Sequence, residues 1–290
     1  LEKGEPDNKP NKPLTKEFIM RPRNRGVFVI IATVLFYNFV FATPSTQIWI
    51  PSTDVQGFGV IHLGWDSYIK TKQDTVNHGF EGSVTNGGIT VGVLPFKKLG
   101  LEIGIDYRDI GANAGSRAGS NHLYPLYFNA KLGVPEDAFF KFQPAIAVGS
   151  FDLGTKTSGA ILTNNNVTYG LIAKNIWKIG RISAGYYQGN DNLLYNASTG
   201  KKDASGVLLS WDRTITEISD KFWLAVDYMG AKNGYGALSF GGAYYITPDA
   251  SFIIGYDIFN DDKTYKPTAT VQVDINLPAV QDWFKKAEKK

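Results

Sequence analysis

Alternation constrains this chain more than any other feature of its sequence. From Leu99 to Arg108, Leu99, Leu101, Ile103, Ile105 and Tyr107 fall on one side. Gly100, Glu102, Gly104, Asp106 and Arg108 fall on the other. Tyr265 to Leu277 repeats the pattern, with Ala269, Val271, Val273 and Ile275 set against Thr268, Thr270, Gln272 and Asp274. Period two is the mark of a strand whose faces meet unlike surroundings. Twelve segments carry it: 57–70, 84–95, 99–108, 122–133, 139–151, 166–176, 180–189, 205–212, 221–229, 236–246, 250–259 and 265–277. Past Thr43 no amphipathic helix interrupts them before the last dozen residues.

Most segments run longer than the roughly 5–6 residues of soluble sheets. They suit a tilted strand that needs about 9–11 residues to cross an apolar layer. Short links (95–98, 135–137, 247–249) alternate with longer polar ones such as 71–83, Asp109–Asn121, 152–165 and Asn190–Ala204. The link 213–220 is long for its place and 230–235 short. An all-β, up-and-down antiparallel transmembrane β-barrel of about 12 strands over 57–278 is expected. Composition fits, with 31 glycines, 18 phenylalanines, 15 tyrosines and only 20% charge. Glycine collects on the polar face (Gly88, Gly92, Gly100, Gly104, Gly185, Gly189, Gly241, Gly255). Aromatics mark the apolar face near segment ends (Trp65, Tyr107, Phe140, Tyr169, Tyr186, Trp211, Tyr228, Tyr244, Tyr256), as in interfacial girdles. The competing architecture is a soluble barrel or sandwich with its apolar face inside.

Ahead of the strands, Arg21, Arg23 and Arg25 precede the apolar run Gly26–Ala42, with Val40 and Ala42 placed for cleavage. That is the layout of a secretory signal peptide over 20–42, cut near Ala42. Residues 1–19 are expected to be an unstructured upstream extension, 43–56 a periplasmic N-terminal segment and 279–290 a periplasmic C-terminal tail. Residues 1–42 hold seven basic and four acidic side chains, which is the whole net charge of +3. The rest is neutral, so the charge gives no sign of a nucleic-acid partner. The absence of cysteine excludes disulfides, thiolate catalysis, cysteine zinc sites and c-type haem attachment.

The leader, the segment ITVGVLPFKKLGLEIGIDYR (Ile89–Arg108) and the closing alternation together resemble the small, porin-like outer-membrane β-barrels of Gram-negative bacteria. The resemblance is architectural, over about 43–278, and singles out no subfamily. It implies the bacterial outer membrane, contact with outer-membrane lipids and lipopolysaccharide, and insertion by the barrel-assembly machinery. Such barrels often end on an aromatic residue in the last strand. This one reads VQVDINLP and then AVQDWFKKAEKK, with Trp283 and Phe284 beyond the strand.

On the alternation, the lumen is expected to carry His62, Asp66, Lys70, Glu102, Asp106, Arg108, Lys131, Lys141, Gln143, Asp257, Lys266, Gln272 and Asp274, with Lys174 and Asp227 on the same face. Buried charges must be wet or paired. A wet lumen makes a passive diffusion channel for small hydrophilic solutes or ions, tuned by the loops Asp109–Asn121 and Asn190–Ala204. The inner-face glycines favour that reading. A knitted lumen makes a closed barrel that presents its outer loops. A lipid-modifying enzyme is a third possibility, since outer-membrane phospholipase shares the strand count. It requires a serine within reach of a histidine, and His62, His78 and His122 show no such spacing. A sheath for an electron carrier is a fourth. Asp257 with Asn260, Asp261 and Asp262 lacks the spacing of a calcium loop. Gly111, Gly115 and Gly119 fall in a polar loop, and the sequons at Asn166 and Asn196 have no use in a bacterial outer membrane. No cofactor, metal or catalytic group is expected.

Overall fold

The structure is a computed structural model that describes residues 46–72, 83–110 and 123–278. The leader, the upstream extension, the C-terminal tail, His78, His122 and the glycine series 111–119 lie outside the described residues. Twelve strands close into one antiparallel barrel. They are β1 (Ile61–Lys70), β2 (Val84–Gly92), β3 (Gly100–Ile110), β4 (Leu126–Val134), β5 (Ala145–Gly154), β6 (Val167–Ile176), β7 (Gly180–Gln188), β10 (Ser205–Thr214), β11 (Phe222–Met229), β12 (Ala237–Thr247), β13 (Ala250–Phe259) and β14 (Thr268–Leu277). Two-residue strands β8 (Tyr195–Asn196) and β9 (Lys201–Lys202) form a small ladder in the β7–β10 loop. The barrel is closed by β1 against β14, in register from Ile61↔Leu277 to Lys70↔Thr268, so no edge strand is left unpaired.

All twelve expected segments appear, with shifted ends. Pro144 and Pro267 stand just before β5 and β14, where proline, lacking an N–H donor, starts a strand more readily than it continues one. Segments expected from 139 and 265 therefore begin at Ala145 and Thr268. Phe140, Lys141 and Gln143 consequently sit in the β4–β5 turn, and Lys266 in the β13–β14 loop.

Every barrel strand exposes at least one large apolar side chain. On β3 these are Ile103, Ile105 and Tyr107, on β11 Phe222, Leu224 and Val226, and on β13 Ile254 and Ile258. The alternate positions are covered: Asp227, Ser239, Ser251, Asp257 and Thr270 are at most 1% exposed. The apolar face is thus outside and the polar face inside, the inverse of a soluble barrel. Tyr169 is an exception to the expected aromatic girdle. It points inward with Val167 and Leu171 and packs with Tyr187, Leu208 and Met229.

Candidate functional site

The lumen is not an empty bore. Residues Thr46–Phe58 enter it from the short-turn end, reverse, and return to begin β1. The reversal is a tight turn: Thr46 bridges Pro51 and the Gln47 amide donates to the Ile50 carbonyl at 2.7 Å. The sequence reading makes 43–56 a periplasmic lead-in; the structure seats its described part against the inner wall.

The barrel satisfies this hairpin's backbone group by group. Asp227 Oδ2 accepts from the Ile48 and Trp49 amides at 2.8 and 3.0 Å. Gln272 Nε2 donates to the Ile48 carbonyl at 2.7 Å. On the return limb, the Gln56 amide donates to Glu102 Oε2 at 2.7 Å. Water is scarce inside a filled barrel, so an unpaired amide there would cost about 1–3 kcal/mol. Side chains anchor the hairpin as well. Arg181 bridges Asp54 on the hairpin (2.7 Å) and Asp212 on β10 (2.9 Å), and Asp212 also accepts from Gln47 at 3.0 Å. Trp49 lies furthest toward the long loops. Its indole donates to the Tyr235 carbonyl at 2.7 Å, and its ring meets Tyr68 and Phe259 edge-on.

Inner-face glycines explain how the hairpin fits. A Cβ at Gly255 would stand 2.7 Å from Ile48 Cγ2, and one at Gly100 would stand 2.8 Å from Val55 Cγ1. At Gly92 it would run into the backbone of Gln56 and Gly57. The room that glycine leaves on the wall is therefore taken by the chain itself.

Several charges expected in the lumen are knitted into pairs. Lys131 Nζ meets Glu102 at 3.0 Å, both buried. The two nitrogens of His62 are taken up by Asn276 at 2.8 Å and Asp274 at 3.3 Å, which leaves neither for a serine. Arg108 makes a fork with Asp152 at 2.5 and 2.6 Å and lies over the Tyr127 ring. Asp152 turns inward because β4 and β5 slip register between Phe128 and Ala130 and its own φ is 53°; a bulge re-aims a side chain in this way. Tyr235 donates to the same carboxylate. Burial, with Asp152 beside it, pushes the Tyr235 phenol well above its ordinary value, so it remains a donor.

Asp257 accepts from Thr268 at 2.6 Å, and Lys70 reaches the Lys266 carbonyl and the face of Phe259. Lys141 is exposed in its turn, and Gln143 ties that turn together through Phe139, Pro135 and Pro144. Lys266 donates to Lys263, and Lys174 sits at the rim with Glu136 and Asp137. Asp261 binds the Ser198 and Thr264 hydroxyls; burial opposes its charge, yet these bonds hold its carboxyl below the usual range. Asp257 faces the lumen while Asp261 faces the loop, and no group of residues among those described could hold a metal ion.

One part of the wall stays partly open. Asp66, Asn86, Asp106 and Asn129 on β1–β4 are half-buried, whereas Ser239, Asp257 and Thr270, on the wall that faces Ile48, are at most marginally exposed. Asp66 lies opposite Asn86 across the β1–β2 ladder, and Asn129 donates to Asp106 at 2.7 Å. At the short-turn mouth, Asp54, Gln56, Phe58, Lys97, Glu136 and Arg181 contribute to a cavity of about 480 Å³. Sequence reasoning overlooked Asp152, Arg181 and Asp212. The last two were legible, since alternation places both on the inner face of β7 and β10.

No protein-family model matches the chain, and no curated protein does. Solved structures that it resembles include an outer membrane channel from Pseudomonas putida F1, with 10% identity, 77% of this chain and 97% of that one covered, and a TM-score of 0.45. The NanC porin gives 12% identity, 75% and 99% coverage and 0.40. Outer membrane phospholipase A from Escherichia coli gives 10% identity, 74% and 92% coverage and 0.41. At these identities the likeness is one of barrel architecture.

Proposed function

We propose that this chain is a β-barrel of the bacterial outer membrane and serves as a narrow passive channel for small hydrophilic solutes, cations above all. The membrane reading rests on the outer face. Soluble proteins rarely expose contiguous apolar patches beyond a few hundred Å², yet here exposed aliphatic and aromatic side chains ring all twelve strands. A strand of about 9–11 residues spans the apolar layer, and these barrel strands run from 8 to 11.

The channel reading rests on the half-buried polar strip of Asp66, Asn86, Asp106 and Asn129. Two carboxylates and two amides offer hydrogen bonds to a hydrated solute and an electrostatic bias toward cations. Flow along it would be diffusive. The hairpin itself favours a second reading, a closed barrel that presents its long loops. Planar-bilayer recording of the refolded protein separates the two. Small ohmic steps with a cation-biased reversal potential support the channel; a folded, inserted barrel that never conducts supports the closed form.

A further inference from the structure

The short-turn rim carries a second chemical pattern that the lumen does not use. Four neighbouring turns follow one another around the barrel: β2–β3, β4–β5, β6–β7 and β10–β11. Together they expose Phe96, Phe139, Phe140, Phe142, Trp177 and Ile218 at 61–89%. Lysines stand among them. Lys98 lies over the Phe139 ring at 5.3 Å, Lys141 over Phe142 at 5.1 Å and Lys178 over Trp177 at 4.9 Å. Lys221 lies 6.0 Å from the Tyr244 ring, and Lys97 sits beside Lys98.

The acidic groups on these turns are mostly occupied elsewhere. Glu136 and Asp137 pair with Lys174, Glu217 pairs with Arg213, and Asp220 touches Ser219. Among the described residues, no ion pair engages Lys97, Lys98, Lys141, Lys178 or Lys221. The fifth short turn, Thr247-Pro248-Asp249, has no lysine. The basic, aromatic arc therefore runs along four of the five described short turns.

We propose that this arc binds the headgroups of anionic glycerophospholipids in the leaflet at the short-turn end. The inference rests on the membrane reading above. Aromatic rings settle at the boundary between acyl chains and headgroups, and a lysine standing over such a ring reaches the phosphate layer. A lysine held near an anionic surface contributes about 1 kcal/mol, a preference of roughly fivefold per lysine engaged. A soluble acidic partner would leave the exposed rings without an apolar phase to enter, which is why lipid fits better.

Native mass spectrometry of the full chain, released from detergent with matched phosphatidylglycerol and phosphatidylcholine, tests this. Retention of phosphatidylglycerol several-fold above phosphatidylcholine is expected. It should fall to parity in a variant carrying Lys97→Gln, Lys98→Gln, Lys141→Gln, Lys178→Gln and Lys221→Gln. Equal retention by the native chain, or undiminished preference in the variant, overturns the proposal. Preference for lipid A over phosphatidylglycerol overturns it too, by assigning the arc to the other leaflet's lipid. Circular dichroism and heat-modifiable migration of both proteins in phosphatidylcholine vesicles report separately on whether the barrel inserts, so a failed membrane reading is distinguished from a failed lipid preference.

Discussion

At the scale of single residues, the lumen is governed by which carboxylates have partners. Asp152, Asp212 and Glu102 hold cations at hydrogen-bonding distance. Asp66 and Asp106 have amide neighbours instead, and an amide brings no fixed cation to either carboxylate. Asp66→Asn together with Asp106→Asn is therefore expected to cut cation selectivity several-fold with little change in folding; reversal potentials in a salt gradient measure it. Asp227 plays another part, because its carboxylate holds two hairpin amides. Hydrogen bonds to a charged group are worth about 1.5–3 kcal/mol each. Asp227→Ala should accelerate hydrogen exchange at Ile48 and Trp49 by about ten- to a hundredfold while the barrel strands keep their protection.

At the scale of elements, the hairpin is the part that sequence reading could not supply. The strands were legible because period two is a local pattern, and each strand prints it separately. The segment TQIWIPST prints no period, and its partners lie far along the chain: Gln47 meets Asp212, and Ile48 meets Gln272. One signal did exist. Glycine at Gly92, Gly100, Gly241 and Gly255 announced space on the inner wall, but space reads equally as an open bore or as a seat for chain. Tyr169 departs from the expected girdle for a related reason. A tyrosine on an alternating strand suits either face, and what draws this one inward is the apolar patch of Ile50, Leu171 and Tyr187. Removing Gln47–Ser52 should leave the barrel folded and raise single-channel conductance several-fold. Unchanged conductance would mean that the hairpin does not limit flow.

At the scale of the whole molecule, the barrel is inverted, with apolar side chains outside and a half-buried polar strip on the inner wall of β1–β4. Ile105, in the middle of β3, faces outward among apolar neighbours. Replacing it with arginine should destabilise the barrel in vesicles by about 2–4 kcal/mol, measured by urea titration, whereas Ile105→Val should be nearly neutral. The absence of cysteine permits a more direct test. A single thiol can be placed on the strip by Asp106→Cys, or on the wall facing the hairpin by Ser239→Cys, and treated with a small cationic thiol reagent during bilayer recording. The account predicts that current through the Asp106→Cys protein is blocked and current through the Ser239→Cys protein is not. Block at Ser239→Cys alone, or current that neither thiol affects, would contradict it.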